Sequence, residues 1–317
     1  MNALISTPTS RRRFLFIGAV LGTAAAMPPA FAARPIRWSG QALGAHARIE
    51  LIGANERDAP AMFQDMESEI ARLEAIFSLY KADSVLTKLN RDGVLFDPPP
   101  ELVELLSLSQ SVHRLSGGLF DPTVQPLFAF YANWFAHDRR RHLPTAGQLQ
   151  PVLANVGMDK VSFDDRHVRF ERPGMALTFN GIAQGYITDR IAARLRDRGF
   201  GNTLLDIGEI QAIGRGLDGE GWRIGIQKAP QSNDIAERLT LSDRAVATSM
   251  MLGTTLDRGQ TAGHILHPAL GLVPRYNNRA SVIHRSAALA DGLSTAAILM
   301  APDQLAALRH EGLEIRT

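Results

Sequence analysis

The sequence predicts an α+β fold in which helices pack on mixed or antiparallel sheets. Two observations carry that reading. Segments with a helical apolar period alternate with short strand-like runs, yet they do not form clean βαβ units, so a doubly wound parallel sheet is not indicated. No linker or charge block interrupts the 317-residue chain. Residues 33–317 are therefore read as one intertwined domain, long enough to bury a sizeable core.

The elements follow in order. Trp38 to Gly53 (WSGQALGAHARIELIG) alternates and reads as a strand. Met62, Met66, Ile70, Leu73 and Phe77 recur at three- and four-residue spacings, which predicts an amphipathic helix. Leu102, Leu105, Leu106 and Ser109 give a second helix, stopped by Gly117-Gly118. DDRHVRF and MALTF, in the polar middle, read as a hairpin. Ile187, Ile191 and Leu195 give a third helix with Gly199 as its C-terminal stop. NTLLDIGEIQAIG and GWRIGIQKA read as strands, RAVATSM and GHILHP as short strands or loop edges. The last helix lies in HRSAALADGLSTAAILM, His284 to Met300, which is small and apolar apart from Asp291.

The N-terminus is set apart. Ser10 and Arg11-Arg12-Arg13 precede Phe14-Leu15 and an apolar run, which ends at the small-x-small site Ala30-Phe31-Ala32. This pattern reads as an export signal over residues 1–32. S-R-R-x-F-L resembles the twin-arginine type, with an ordinary secretory signal as the alternative. The expected location is periplasmic, soluble after cleavage. No segment reaches the ~18 apolar residues of a membrane span. The whole chain is +2, but beyond residue 32 there are 31 basic and 32 acidic residues, about −1. The basic pI of 9.1 thus belongs partly to the signal. Arg139-Arg140-Arg141 is the one basic run left. Without interleaved aromatics it reads as a solvated loop, and no nucleic-acid partner is expected. There is no cysteine, which excludes disulfides, thiolate metal sites and Cys nucleophiles.

Several short motifs carry possible chemistry, each beside a plainer reading. GRGLDG (Gly214, Gly216, Gly219) spells a dinucleotide fingerprint but opens onto a strand, so it reads as a hairpin loop. GGLFDPTV offers Leu119, Phe120 and Asp121 either as a ligand wall or as an ordinary Asp-Pro turn. NGIAQGY places Gly181 and Gly185 at a strand-to-helix junction, as a phosphate approach or a tight turn. His264 and His267 lie within four residues of sequence, with a functional role for one or a structural role for both. Asp291 and Thr295 share a helix face and offer hard oxygen ligands suited to Mg²⁺. The alternative is that Asp291 is the N-cap of a helix beginning at Gly292.

Taken together, IFSLYKADSVLTKLN, SGGLFDPTV, NGIAQGYITDRIAARL, AVATS, GHILHP and LADGLSTA resemble one family in order and separation. The chain is similar to the FAD:protein FMN transferases, the ApbE-like family, from about Trp38 to Met300. The resemblance implies an α+β fold and a Mg²⁺-dependent enzyme. It would cleave FAD and place FMN on a Thr or Ser hydroxyl of an exported or membrane-anchored target flavoprotein, releasing AMP. It implies that Leu43, Tyr80, Leu119, Phe120, Asp121, Gln184, His264 and Ile265 bind FAD. Gly181 (through its carbonyl), Asp291 and Thr295 would hold the metal, and His264 would be the base. A FAD pyrophosphatase and a non-enzymatic periplasmic flavin carrier are the alternatives.

Three positions depart from the family pattern. A single Gly208 precedes Glu209, Met250 stands where Gly is common after ATS, and His267 replaces the usual Asp. The single-Gly form resembles the branch associated with maturing the membrane flavoprotein that serves nitrous oxide reductase. The sequence does not set the oligomeric state.

Overall fold

A computed structural model describes residues 34–136, 143–230, 232–273, 276–310 and 313–317. The export signal and the Arg139–Arg141 run lie outside the described residues. In chain order the elements are β1 (Ile36–Ala42), β2 (Ala45–Leu51), α1 (Ala59–Phe77), α2 (Val85–Asp92), β3 (Val94–Phe96), α3 (Pro100–Leu115), α4 (Gln125–Ala136), α5 (Ala146–Leu153), β4 (Val161–Phe163), β5 (His167–Phe170), α6 (Ala183–Asp197), β6 (Thr203–Asp206), β7 (Ile210–Ile213), β8 (Trp222–Gln227), β9 (Ile235–Leu241), β10 (Arg244–Met250), β11 (Arg279–His284), α7 (Ala287–Ala297), α8 (Pro302–His310) and β12 (Glu314–Arg316).

The expected α+β class holds. A seven-stranded sheet runs β1-β2-β6-β7-β10-β11-β12, every pair antiparallel. Strand alternation divides its residues between two cores. On one face Leu205, Ala247 and Val282 join the main core with Leu73 of α1, Leu106 of α3, Ile187 of α6 and Leu293 of α7. On the other, Leu204, Val246 and Ile283 meet Trp222, Ile224 and Ile226 of the β8–β9 hairpin. A third cluster joins Leu127 and Tyr131 of α4 to Val156 and Leu266.

Three readings change. The stretch from Trp38 to Gly53 is a hairpin, because Leu43 and Gly44 both take positive φ (48° and 79°) and turn the chain in two residues. MALTF is extended and buries Met175, Leu177 and Phe179, but it joins no sheet. The amide of Asn90 brackets Leu177 instead, donating to its carbonyl (2.8 Å) and accepting its N–H (2.7 Å). DDRHVRF supplies β5, which pairs with β3 and β4. GHILHP forms isolated bridges, in keeping with its reading as a loop edge. GRGLDG links β7 to β8, which lie in different sheets, so it is a crossover between layers and not a hairpin loop.

Candidate active site

Helices α6 and α7 meet at their first turns, and the meeting depends on a glycine. A Cβ on Gly185 would stand 2.3 Å from the Ala287 carbonyl oxygen, so any other residue would push the helices apart. Two aspartates cross this contact in opposite directions. Asp189 of α6 accepts from Ser286 Oγ (2.7 Å), Ala287 N (2.8 Å) and Ala288 N (3.0 Å), closing the N-terminus of α7. Asp291 of α7 accepts from Gly185 N in the first turn of α6 (3.1 Å).

Asp291 is therefore not the helix cap. Ser286 is, with its hydroxyl accepting from Leu289 N, and Asp291 is the fifth residue of α7. Its carboxyl is buried, and burial pushes its pKa up to about 7, opposed by the Gly185 hydrogen bond and assisted by the Asp189 charge.

Thr295 lies one turn on. Ser249 of β10 reaches both Ser294 Oγ (2.7 Å) and Thr295 Oγ1 (3.3 Å). A Cβ on Gly181 would sit 2.9 Å from Thr295 Oγ1. The backbone of residue 181 thus lies against this hydroxyl. The neighbouring Asn180 donates to Tyr80 Oη (3.2 Å), which brings the half-exposed Tyr80 to the same edge.

Gln184, second in α6, lies on the β6–β7 turn. Its Cδ is 2.6 Å from where a Cβ of Gly208 would be, and Gly208 takes φ +89°. Glu209 follows. It is buried, and Oε2 has no hydrogen-bond partner. Burial raises its pKa well above the ordinary value, with the charges of Asp291 and then Asp206 adding to the shift.

His264 sits at the base of a small hairpin. Its N–H and its Nδ1 both meet the Thr254 carbonyl, each at 3.1 Å. A carbonyl only accepts, so Nδ1 carries the proton and Nε2 keeps the lone pair. Burial of the half-exposed ring lowers its pKa, opposed by the Thr254 bond. The hairpin abuts the end of β10, since a Cβ on Gly263 would meet the Met251 carbonyl at 2.1 Å. Ile265 beside it is buried. His267 takes a different role. Its Nδ1 accepts from Ala269 N (3.1 Å), the i→i+2 bond an Asp side chain makes in a turn. The departure from Asp at this position therefore leaves the turn chemistry intact.

The remaining expected FAD contacts divide. Leu43 holds a strained positive φ, and its N–H donates to Glu74 of α1, which fixes the β1–β2 turn on that helix. Leu119 is half-buried and Phe120 fully so. Asp121 is committed to the fold. Oδ1 accepts Thr123 N (2.8 Å) and Thr123 Oγ1 (2.5 Å), and Oδ2 accepts Met158 N (3.0 Å). Here the Asp-Pro turn chemistry accounts for the carboxylate.

The structure brings Gly181, Gln184, Asp291 and Thr295 together around the α6–α7 contact. It sets Tyr80 on one rim, while the His264 hairpin adjoins the strand end near Ser249. Sequence reasoning left Ser249, Asp189 and Asn180 off the site. All three lie in quoted motifs, AVATS and NGIAQGYITDRIAARL, but the partners of Asp189 and Asn180 are about a hundred residues away and spacing does not reveal them.

The sequence matches the ApbE family over residues 43–316. A FAD:protein FMN transferase of Salmonella typhimurium is 23% identical over 87% of this chain and 82% of its own length. One of Vibrio cholerae is 28% identical over 86% and 83%. The crystal structure of the Pseudomonas stutzeri flavinyl transferase ApbE superposes with a TM-score of 0.77 at 25% identity, covering 91% of this chain and 93% of that one. With a family match that spans nearly all the described residues, this chain belongs to the ApbE family.

Proposed function

We propose that this protein moves FMN from FAD to a Thr or Ser hydroxyl of a target flavoprotein, releasing AMP, in a Mg²⁺-dependent reaction. The observation that carries the reading is the desolvated Asp291 carboxyl beside Thr295, with the residue-181 backbone packed against the threonine hydroxyl. The named activity of the full-length relatives supports it.

The residues fit a hard cation. A buried carboxyl, a hydroxyl and a backbone carbonyl are oxygen donors of the kind Mg²⁺ takes alongside waters and substrate phosphates. Among the described residues no three His, Asp or Glu side chains converge to hold an ion. Asp291, Thr295 and Gly181 would need phosphate oxygens to complete the shell. When bound, the cation stabilises the negative charge that builds on the pyrophosphate.

The protein's own groups do the rest. Nε2 of His264, with its pKa lowered, is neutral near pH 7 and accepts the proton of the target hydroxyl. The hydroxyl oxygen bonds to the FMN phosphorus as the pyrophosphate P–O bond breaks, and AMP leaves with the bridging oxygen. Positioning carries such a displacement more than covalent help does. The Gly185 contact, the Asp189 cap and the Gln184–Gly208 contact hold α6, α7 and the β6–β7 turn in register. Leu43, Tyr80, Leu119, Phe120 and Ile265 supply walls for the flavin or adenine, and Asp121 holds the Phe120 segment in place. The Arg11-Arg12 signal supports action after export, on a periplasmic or membrane-anchored target.

The test is incubation with FAD, Mg²⁺ and a candidate acceptor domain. Covalent flavin on the acceptor with stoichiometric AMP is the expected result. AMP and FMN released without acceptor, at the rate seen with it, would make the protein a pyrophosphatase. FAD bound with no AMP formed under any condition would make it a carrier.

A further inference from the structure

We propose that Glu209 is a second carboxylate of the cation site, facing the metal together with Asp291. The proposal rests on the reading of Asp291 as a metal ligand and extends it to a residue in a different element.

Glu209 is 6% exposed, and its Oε2 has no hydrogen-bond partner. Native proteins leave few buried oxygens in that state, because desolvation without a partner costs free energy. Two separate chains of contact tie it to the Asp291–Thr295 pair. Along α6, the Gly208 turn touches Gln184, and Gln184 precedes Gly185, whose N–H bonds Asp291. Along β10, Val246 pairs with Ile210, the residue after Glu209, and the same strand carries Ser249, whose hydroxyl reaches Thr295. The Asp291 charge acts on Glu209 more strongly than that of Asp206.

Two buried carboxylates repel each other unless a positive charge compensates them. The described residues place no Arg or Lys among the influences on Glu209. A divalent cation shared by Glu209 and Asp291 satisfies the orphaned oxygen and removes the repulsion together. One or two carboxylates completed by hydroxyl, carbonyl and phosphate oxygens is the normal Mg²⁺ set. Asp206 keeps Arg48 as its compensating charge and stays outside the pair.

The test uses Mn²⁺ in place of Mg²⁺, with free ion read by electron paramagnetic resonance on the full chain, alone and with FAD. Glu209→Gln keeps the shape and removes the charge. It is expected to weaken Mn²⁺ binding at least ~10-fold and to erase the Mn²⁺-induced rise in melting temperature. FAD binding in EDTA should be unaltered, and the cation-free melt should not fall below the parent's. If Glu209→Gln binds Mn²⁺ like the parent while Asp291→Asn does not, the Glu209 proposal fails and the Asp291 reading stands. If the parent binds no Mn²⁺ even with FAD, or Asp291→Asn binds it normally, both fail. Should Glu209→Gln not fold, Glu209→Asp retracts the charge by one methylene. Weaker binding in that variant supports the proposal, and unchanged binding overturns it.

Discussion

Asp189 and Asp291 sit on opposite sides of one helix–helix contact and differ in what they are given. Asp189 receives three donors: a hydroxyl and two N–H groups from the open end of α7. Asp291 receives one N–H, from Gly185, and Thr295, one turn on, lies against the residue-181 backbone. Burial raises the pKa of both. For Asp189 the fold supplies three donors against burial; for Asp291 it supplies one. The donor count thus separates the two carboxylates where sequence and burial do not.

The strongest way to break this comparison is to remove Asp189. Asp189→Ala strands two buried N–H groups and the cap hydroxyl, and should cost ~2–4 kcal/mol in urea denaturation. Activity per folded molecule should fall far less than in Asp291→Asn. A melt like the parent's would mean that Asp189 is not the support of α7, and the contrast would collapse.

Much of this was legible beforehand. The final helix was visible because Ala287, Ala290, Leu293 and Ala297 carry its apolar face, and Asp291 stood out against them. Whether Asp291 was cap or ligand could not be read from spacing, because Ser286 and Asp291 both suit a helix start. The structure decides for Ser286. Asp189 lay hidden inside an amphipathic helix, since its partners are nearly a hundred residues on. Helix α4 was obscured for another reason. Leu127, Tyr131 and Trp134 have helical spacing, but Phe128, Phe130 and Phe135 are apolar too, so the contrast between faces is weak. The Glu209 crowding arises only when a β-turn, a strand end and a helix meet.

A smaller effect sharpens the comparison with a third acid. Burial pushes Asp206 up to about 7, with Arg48 opposing. The folded state then binds a proton that the unfolded chain has already released, so stability from this group falls as pH rises from about 4 to about 7. Asp206→Asn removes that penalty. The variant should be more stable than the parent by on the order of 1 kcal/mol at pH 8, discounted for solvent and Arg48, and the gap should close toward pH 4. Thermal melts across this range check it. A pH-independent difference would mean that Asp206 is ionised throughout.

The central claim is that Asp291 acts as a cation ligand in flavin transfer. The most direct measurement is Mg²⁺-dependent AMP release from FAD by Asp291→Asn, with an acceptor that the parent protein flavinylates. Asparagine keeps the oxygen that takes the Gly185 N–H and removes the charge. The variant should fold with its α6–α7 contact intact and lose AMP release by at least ~100-fold at saturating Mg²⁺. Release at the parent's rate, with the parent's Mg²⁺ dependence, would contradict the assignment.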